Sequence, residues 1–263
     1  MIIGASGGGA FPQLFLTKST TWVPPQDGTV CIHVVGAGGG GGYQAYRRGG
    51  GAGAYAKIPS LAVTTSGSYT LVVGAGTTAT GGASSIAGTG LTGTKTCGGG
   101  ILANGYSSTG QGAGGQVSGS GESWAGFTGG AGGSGGGGGA VGVYGTGAAP
   151  VNSYMGAFTD ADGGGLANSG FGIICGGSQP GVYGVSMNSG QAVTSGTYMG
   201  TRSGEDFCGG GPAYSELYNA PAVAGNGGIG AGGGGAVGYG QAGAYSTAGA
   251  GGDGIIVIQY LPW

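Results

Sequence analysis

The chain has 263 residues, of which 78 are glycine and only 5% are charged, with a formal net charge of −2. Glycine at this level excludes ordinary helical folds, and nine prolines without a chain-long Gly-X-Y period exclude collagen. Fourteen tyrosines, six phenylalanines and three tryptophans in a weakly charged chain oppose disorder, and the absence of a basic face opposes a nucleic-acid partner. No stretch reaches the length of an apolar membrane span, so membrane insertion is not expected, and the N-terminus lacks the pattern of a signal peptide.

Taken in chain order, residues 1–12 (MIIGASGGGAFP) precede the first clear strand pattern and form a candidate docking segment. Residues 14–17 read as a short strand, with Trp22 beyond it. Residues 30–35 (VCIHVV) alternate with period two, placing Val30, Ile32 and Val34 on one face and Cys31, His33 and Val35 on the other. Residues 55–61, 69–73 and 255–260 carry similar β-branched and aromatic runs. The expected fold class is therefore all-β: one domain over 1–263, with a small β-sandwich or jelly-roll-like scaffold from 13–35, 54–73 and 255–260. Segments 36–53 and 74–254 are assigned to glycine tracts with loops.

The tracts have a period of their own. From Gly129 the sequence GGAGGSGGGGGAVGVYGT places Gly130, Gly133, Gly136, Gly139, Gly142 and Gly145 in one phase of a three-residue repeat, while Ala131, Ser134 and Ala140 fall in another. Three residues per turn is the polyproline II period, and such a helix makes no internal hydrogen bonds. Its backbone groups must then be satisfied by neighbouring chains, which pack closely enough only where side chains are absent. A bundle of polyglycine II helices is expected in place of an oily core. GGGGAVG, at 136–142 and again at 232–238, hints at a repeated unit. Strand 30–35 feeds tract 36–42 and tract 49–53 leads back, so YQAYRR (43–48) is expected at the far end, roughly 20 Å out at about 3.1 Å per residue. Tract 225–235 is likewise expected to run outward and 249–254 to return, making Tyr239 and Tyr245 distal.

Enzyme chemistry finds little footing. GAGGGG at 36–41 matches a dinucleotide fingerprint, but glycines continue where a helix should open and no acidic residue follows at the required distance. His33 is the only histidine and lies within a strand pattern, so it reads as a hydrogen-bonded strand residue rather than a catalytic base. The pairs Asp160/Asp162 and Glu205/Asp206 read as solvated loop acids outside any calcium-loop pattern. Cys31, Cys97, Cys175 and Cys208 lack zinc-type spacing and read as reduced, small buried residues. No catalytic residue, metal or cofactor is assigned.

The loops carry the recognition chemistry. Segments 144–158, 183–202 and 214–218 combine tyrosine, methionine, serine and asparagine with few charges, a composition typical of contact surfaces. The candidate receptor-binding residues are Tyr43, Tyr46, Arg47, Arg48, Tyr154, Met155, Phe158, Tyr183, Met187, Tyr198, Met199, Arg202, Tyr214, Tyr218, Tyr239 and Tyr245.

The order WVPP, TVCIHVVGAGGGGG, AYAKIPSLAV, SYTLVVGAG and finally GGDGIIVIQY resembles the glycine-rich domains of phage and prophage tail-fibre proteins across nearly the whole chain. Its tracts separated by aromatic inserts are also similar to the tip adhesins of T-even-like phages, although the N-terminal attachment domain of those proteins has no counterpart. The resemblance implies a non-enzymatic receptor-binding protein of the virion tail tip, made in the host cytoplasm. Its implied partners are a host-surface protein or lipopolysaccharide and another tail protein, on which it sits as a homotrimer or as a cap on a trimeric fibre. An ice-binding protein would need a flat, regular face and a structural matrix protein near-identical repeats, neither of which the sequence shows.

Overall fold

The computed structural model describes residues 2–4, 13–42, 48–103, 112–133, 137–139, 198–199, 213–218, 224, 226–239 and 247–262. These residues form no helix, and their strands lie in two antiparallel sheets and one smaller sheet. The first sheet joins β1 (Ile2–Gly4), β2 (Gln13–Leu16), β14 (Ile255–Tyr260), β4 (Gly28–Val35), β5 (Tyr55–Val63) and β10 (Ala125–Phe127), in that spatial order. The second joins β3 (Thr20–Trp22), β6 (Tyr69–Val72), β7 (Ser84–Gly88), β8 (Lys95–Cys97) and β9 (Val117–Ser118).

Alternation makes the core. Val30, Ile32 and Val34 of β4, Ile58 of β5, and Ile256 and Ile258 of β14 are all buried, and they share one cluster with Trp22, Tyr69, Leu71, Ile86 and Cys97 of the second sheet. Each buried aliphatic or aromatic side chain contributes roughly 1.5–3 kcal/mol, so this cluster is the main apolar source of stability among the described residues. The rings of Trp22 and Tyr69 pack 5.3 Å apart.

Four strands of the two large sheets, β7 to β10, fall in the region 74–254 assigned from sequence to glycine tracts with loops. Their apolar content is slight: SSIAG buries Ile86 and KTC buries Cys97, too few positions for a period-two pattern to stand out. Residues Ile2–Gly4, within the expected docking segment, pair with β2 at the edge of the first sheet.

The glycine tracts connect strands of both sheets through backbone hydrogen bonds outside any ladder. Along 36–42, Gly36, Gly39 and Gly42 donate to the carbonyls of Ala54, Gly51 and Arg48; Ala37 and Gly40 donate to Gly82 and Ala79; Gly38 and Gly41 donate to Gly252 and Gly249. Along the returning run, Gly49 and Ala52 donate to Gly133 and Gly130, Gly50 and Gly53 to Gly233 and Gly230, and Gly51 and Ala54 to Ile101 and Gly98. In both runs the donor direction returns to the same neighbour every third residue, while the acceptor moves back by three. A strand alternates in twos and an α-helix bonds to itself, so neither produces this pattern. The carbonyls of Arg48, Gly51 and Ala54 accept from 36–42, those of Gly49 and Ala52 from Gly112 and Gly115, and that of Gly50 from Gly138. Run 48–54 is thus bonded on six sides.

Side chains replace carbonyls where the tracts meet the sheets. The Ser84 hydroxyl accepts from the Gly74 amide at 2.9 Å and the Asp253 carboxylate from the Gly76 amide at 2.7 Å. One run departs from expectation: 225–235 does not travel outward as a unit. Ala224, Gly227 and Gly230 donate to Thr247, Ala250 and Asp253 in parallel, a turn falls at Ile229 and Gly230, and only 231–235 then runs antiparallel to 249–252.

Candidate recognition surface

Strand direction gives the molecule two ends. β4, β6, β8 and β10 run into tracts, whereas β5, β7, β9 and β14 emerge from them, so the turns 23–27, 64–68, 89–94 and 119–124 all lie at the end away from the tracts. Those turns are five or six residues long and contain no tyrosine; 64–68, 89–94 and 119–124 are rich in Ser, Thr and Gly, and 23–27 reads VPPQD. The opposite, outward end is where tract 36–42 stops and 48–54 begins, where 98–103 stops and 112–116 begins, and where β13 (Ala236–Tyr239) continues 231–235.

At that end β11 (Tyr198–Met199), β12 (Ala213–Tyr218) and β13 form a three-stranded sheet in that order, antiparallel between β11 and β12 and parallel between β12 and β13. Its register pairs Tyr198 with Ser215, Met199 with Tyr214, Tyr214 with Val237 and Tyr218 with Tyr239. Three segments distant in sequence thus bring Tyr198, Met199, Tyr214, Tyr218 and Tyr239 into one element. A side chain added at Gly235, the residue before β13, would overlap the backbone of Arg48, so Arg48 adjoins the root of this sheet. Arg48 is bridged to Gly42 and partly buried. Tyr43, Tyr46, Arg47, Tyr154, Met155, Phe158, Tyr183, Met187, Arg202 and Tyr245 lie outside the described residues, as do Asp160, Asp162, Glu205 and Asp206. The sheet itself was not foreseen, because two- to six-residue segments such as YM and AVGY carry no alternation long enough to read.

Two of the residues weighed for chemistry, Cys31 and His33, sit on β4 of the first sheet. Nδ1 of His33 is 2.9 Å from the Tyr55 hydroxyl, and Nε2 is 3.4 Å from the Cys31 sulfur. Burial, with a smaller contribution from Lys57, lowers the His33 pKa to about 4, and burial pushes the Cys31 thiol up. Cys31 and Cys97 are free thiols, Cys97 fully buried. Among the described residues no three His, Cys, Asp or Glu side chains group as metal ligands.

A feature absent from the sequence reading is Lys95, fully buried on β8. Its ammonium donates to the carbonyls of Thr92, at 2.7 Å, and Ser120, and pairs with the Glu122 carboxylate at 2.5 Å. Hydrogen bonds from Lys95 and then Thr92 hold the Glu122 pKa at about 2. A lone Lys in TKT gives no signal of burial.

A family model described as a glycine-rich domain matches residues 16–261. The chain belongs to this glycine-rich domain family. The family region takes in the strands from β3 to β14 and every described tract, and leaves out β1 and most of β2. No curated protein matches the sequence.

Proposed function

We propose that this glycine-rich domain protein is a receptor-binding adhesin of a bacteriophage tail tip, acting without substrate turnover. The tracts serve as a bundle of polyglycine II helices, a reading supported by the three-residue return of donor direction in 36–42 and 49–54. The observation that carries the functional reading is the asymmetry of the two ends. Short turns without tyrosine close one end, while at the other Arg48 adjoins the root of a three-stranded sheet whose strands include Tyr198, Tyr214, Tyr218 and Tyr239. Tyrosine offers large, rigid contact area with a polar tip, suited to a recognition surface. Under this reading the tract-free end faces another tail protein, as a homotrimer or as a single cap on a trimeric fibre, and the outward end meets a host-surface protein or lipopolysaccharide. The resemblance to tail-fibre glycine-rich domains supports the same assignment.

The test is segment exchange. Replacing 144–158 and 183–202 with the inserts of another glycine-rich tail protein should redirect binding to that protein's host and leave the melting temperature nearly unchanged, because the one described strand in them, β11, pairs with β12 and not with a tract. A folded chimera with unchanged host binding contradicts the assignment of recognition to these loops.

A further inference from the structure

The recognition reading leaves unused a compact group on the first sheet. Cys31 and His33 are two residues apart on β4, so strand alternation sets them on one face, and their donor atoms Sγ and Nε2 lie 3.4 Å apart. The other ring nitrogen of His33 is 2.9 Å from the hydroxyl of Tyr55 on the adjacent β5, with the two rings stacked at a centroid separation of 6.1 Å. When Nδ1 carries the proton and donates it to Tyr55, Nε2 turns its lone pair toward the thiol. The pairing steps from Val30↔Leu61 to Ile32↔Ile58, so β5 holds an extra residue opposite Cys31, at Pro59 and Ser60. Bulges of this kind are over-represented beside functional sites.

The separation of the two donors matches a metal chelate. Zinc takes sulfur at about 2.3 Å and imidazole nitrogen at about 2.0–2.1 Å, which in tetrahedral geometry puts the two donors about 3.6 Å apart. Metal-bound histidines also give their second ring N–H to a hydrogen-bond partner, the part Tyr55 plays here. We propose that Cys31 and His33 form a two-donor site for a thiophilic divalent cation of the zinc class, with Tyr55 as the positioning residue. On binding, the Cys31 S–H bond breaks and its proton goes to solvent. The thiolate and Nε2 each give an electron pair to the cation, and water completes its coordination. With two protein donors the site is weaker than a four-ligand structural zinc centre.

Cobalt(II) added to the purified full-length chain reads the site directly, through a thiolate-to-metal charge-transfer absorption that zinc(II) should abolish by displacement. The expected result is one cobalt per chain, with the band absent in Cys31→Ser and in His33→Gln and retained in a Cys97→Ser, Cys175→Ser, Cys208→Ser variant. Tyr55→Phe should keep the band at saturation while weakening affinity 10–100-fold, the usual effect of losing an outer-shell partner. Metal-free melting curves report whether each variant folds; Cys31→Ser is decisive if His33→Gln does not. No band in the wild-type chain, or a band that survives in folded Cys31→Ser, overturns the proposal.

Discussion

Glycine is required for two different reasons at Gly230 and Gly51. Gly230 sits in a turn at φ 69°, which other residues rarely adopt. Gly51 is outside the left-handed region, yet an added Cβ would overlap the carbonyl oxygen of Ala113 on the neighbouring tract. The same holds at Gly132, whose Cβ would meet the Gly49 carbonyl, and Gly129, against Ala52. Gly130 and Gly133, in the phase expected from sequence to face neighbouring backbones, are buried beside them, while Ala131 is exposed. Gly136 and Ser134 lie outside the described residues. This distinction yields a test by sign. Gly→Ala at an uncrowded, compatible position stabilises by about 0.4–1 kcal/mol through the unfolded chain. Gly51→Ala should instead destabilise, because separating the tracts strands buried amides at about 1–3 kcal/mol each, and Ala131→Val should be nearly neutral. Thermal melts of the two variants check this, and a stabilised Gly51→Ala would show that the tracts have room to spare.

At the scale of elements, the strands easiest to read were those with three or more large apolar residues in alternation. Residues 30–35, 55–61, 69–73 and 255–260 correspond to β4, β5, β6 and β14, and 14–17 to β2. β7 and β8 escaped notice because each buries a single large apolar or cysteine side chain, and the turn at Ile229 and Gly230 because glycine tracts have no side chains to mark direction. Of the candidate surface, residue types were legible but their gathering into the β11–β13 sheet was not, since it depends on pairing between residues far apart in sequence. The clasp between turns 89–94 and 119–124 was likewise invisible, yet it has a measurable signature. Glu122 titrates at about 2 instead of its ordinary 4.5, held mainly by Lys95 and then by Thr92. A depressed carboxylate pKa gives stability that is complete above 4.5 and lost as pH falls from 4.5 through 2. The wild-type melting temperature should fall across that window. Glu122→Gln should melt lower at pH 7, with Lys95 left buried beside a neutral group, and should lose the matching part of the acid-side slope. Parallel curves for the two proteins would mean that the pair contributes nothing.

Across the whole molecule, two kinds of order are joined end to end. An apolar cluster shared by two sheets sets the base, and backbone hydrogen bonds among glycine-rich runs carry the chain outward with few apolar side chains. Glycine loses more conformational freedom on folding than any other residue, so such runs stay ordered only if their amides are continuously bonded to neighbours. The account of this protein as a rigid carrier for an outward recognition surface depends on that continuity. Hydrogen–deuterium exchange resolved to single amides measures it most directly. Gly38, Gly39, Gly50, Gly51 and Gly53 should exchange as slowly as Ile32 and Val34 in β4, because each donates to a neighbouring tract and opens only when the tracts separate. Exchange of these amides at the rate of exposed loops, with β4 still protected, would contradict the account.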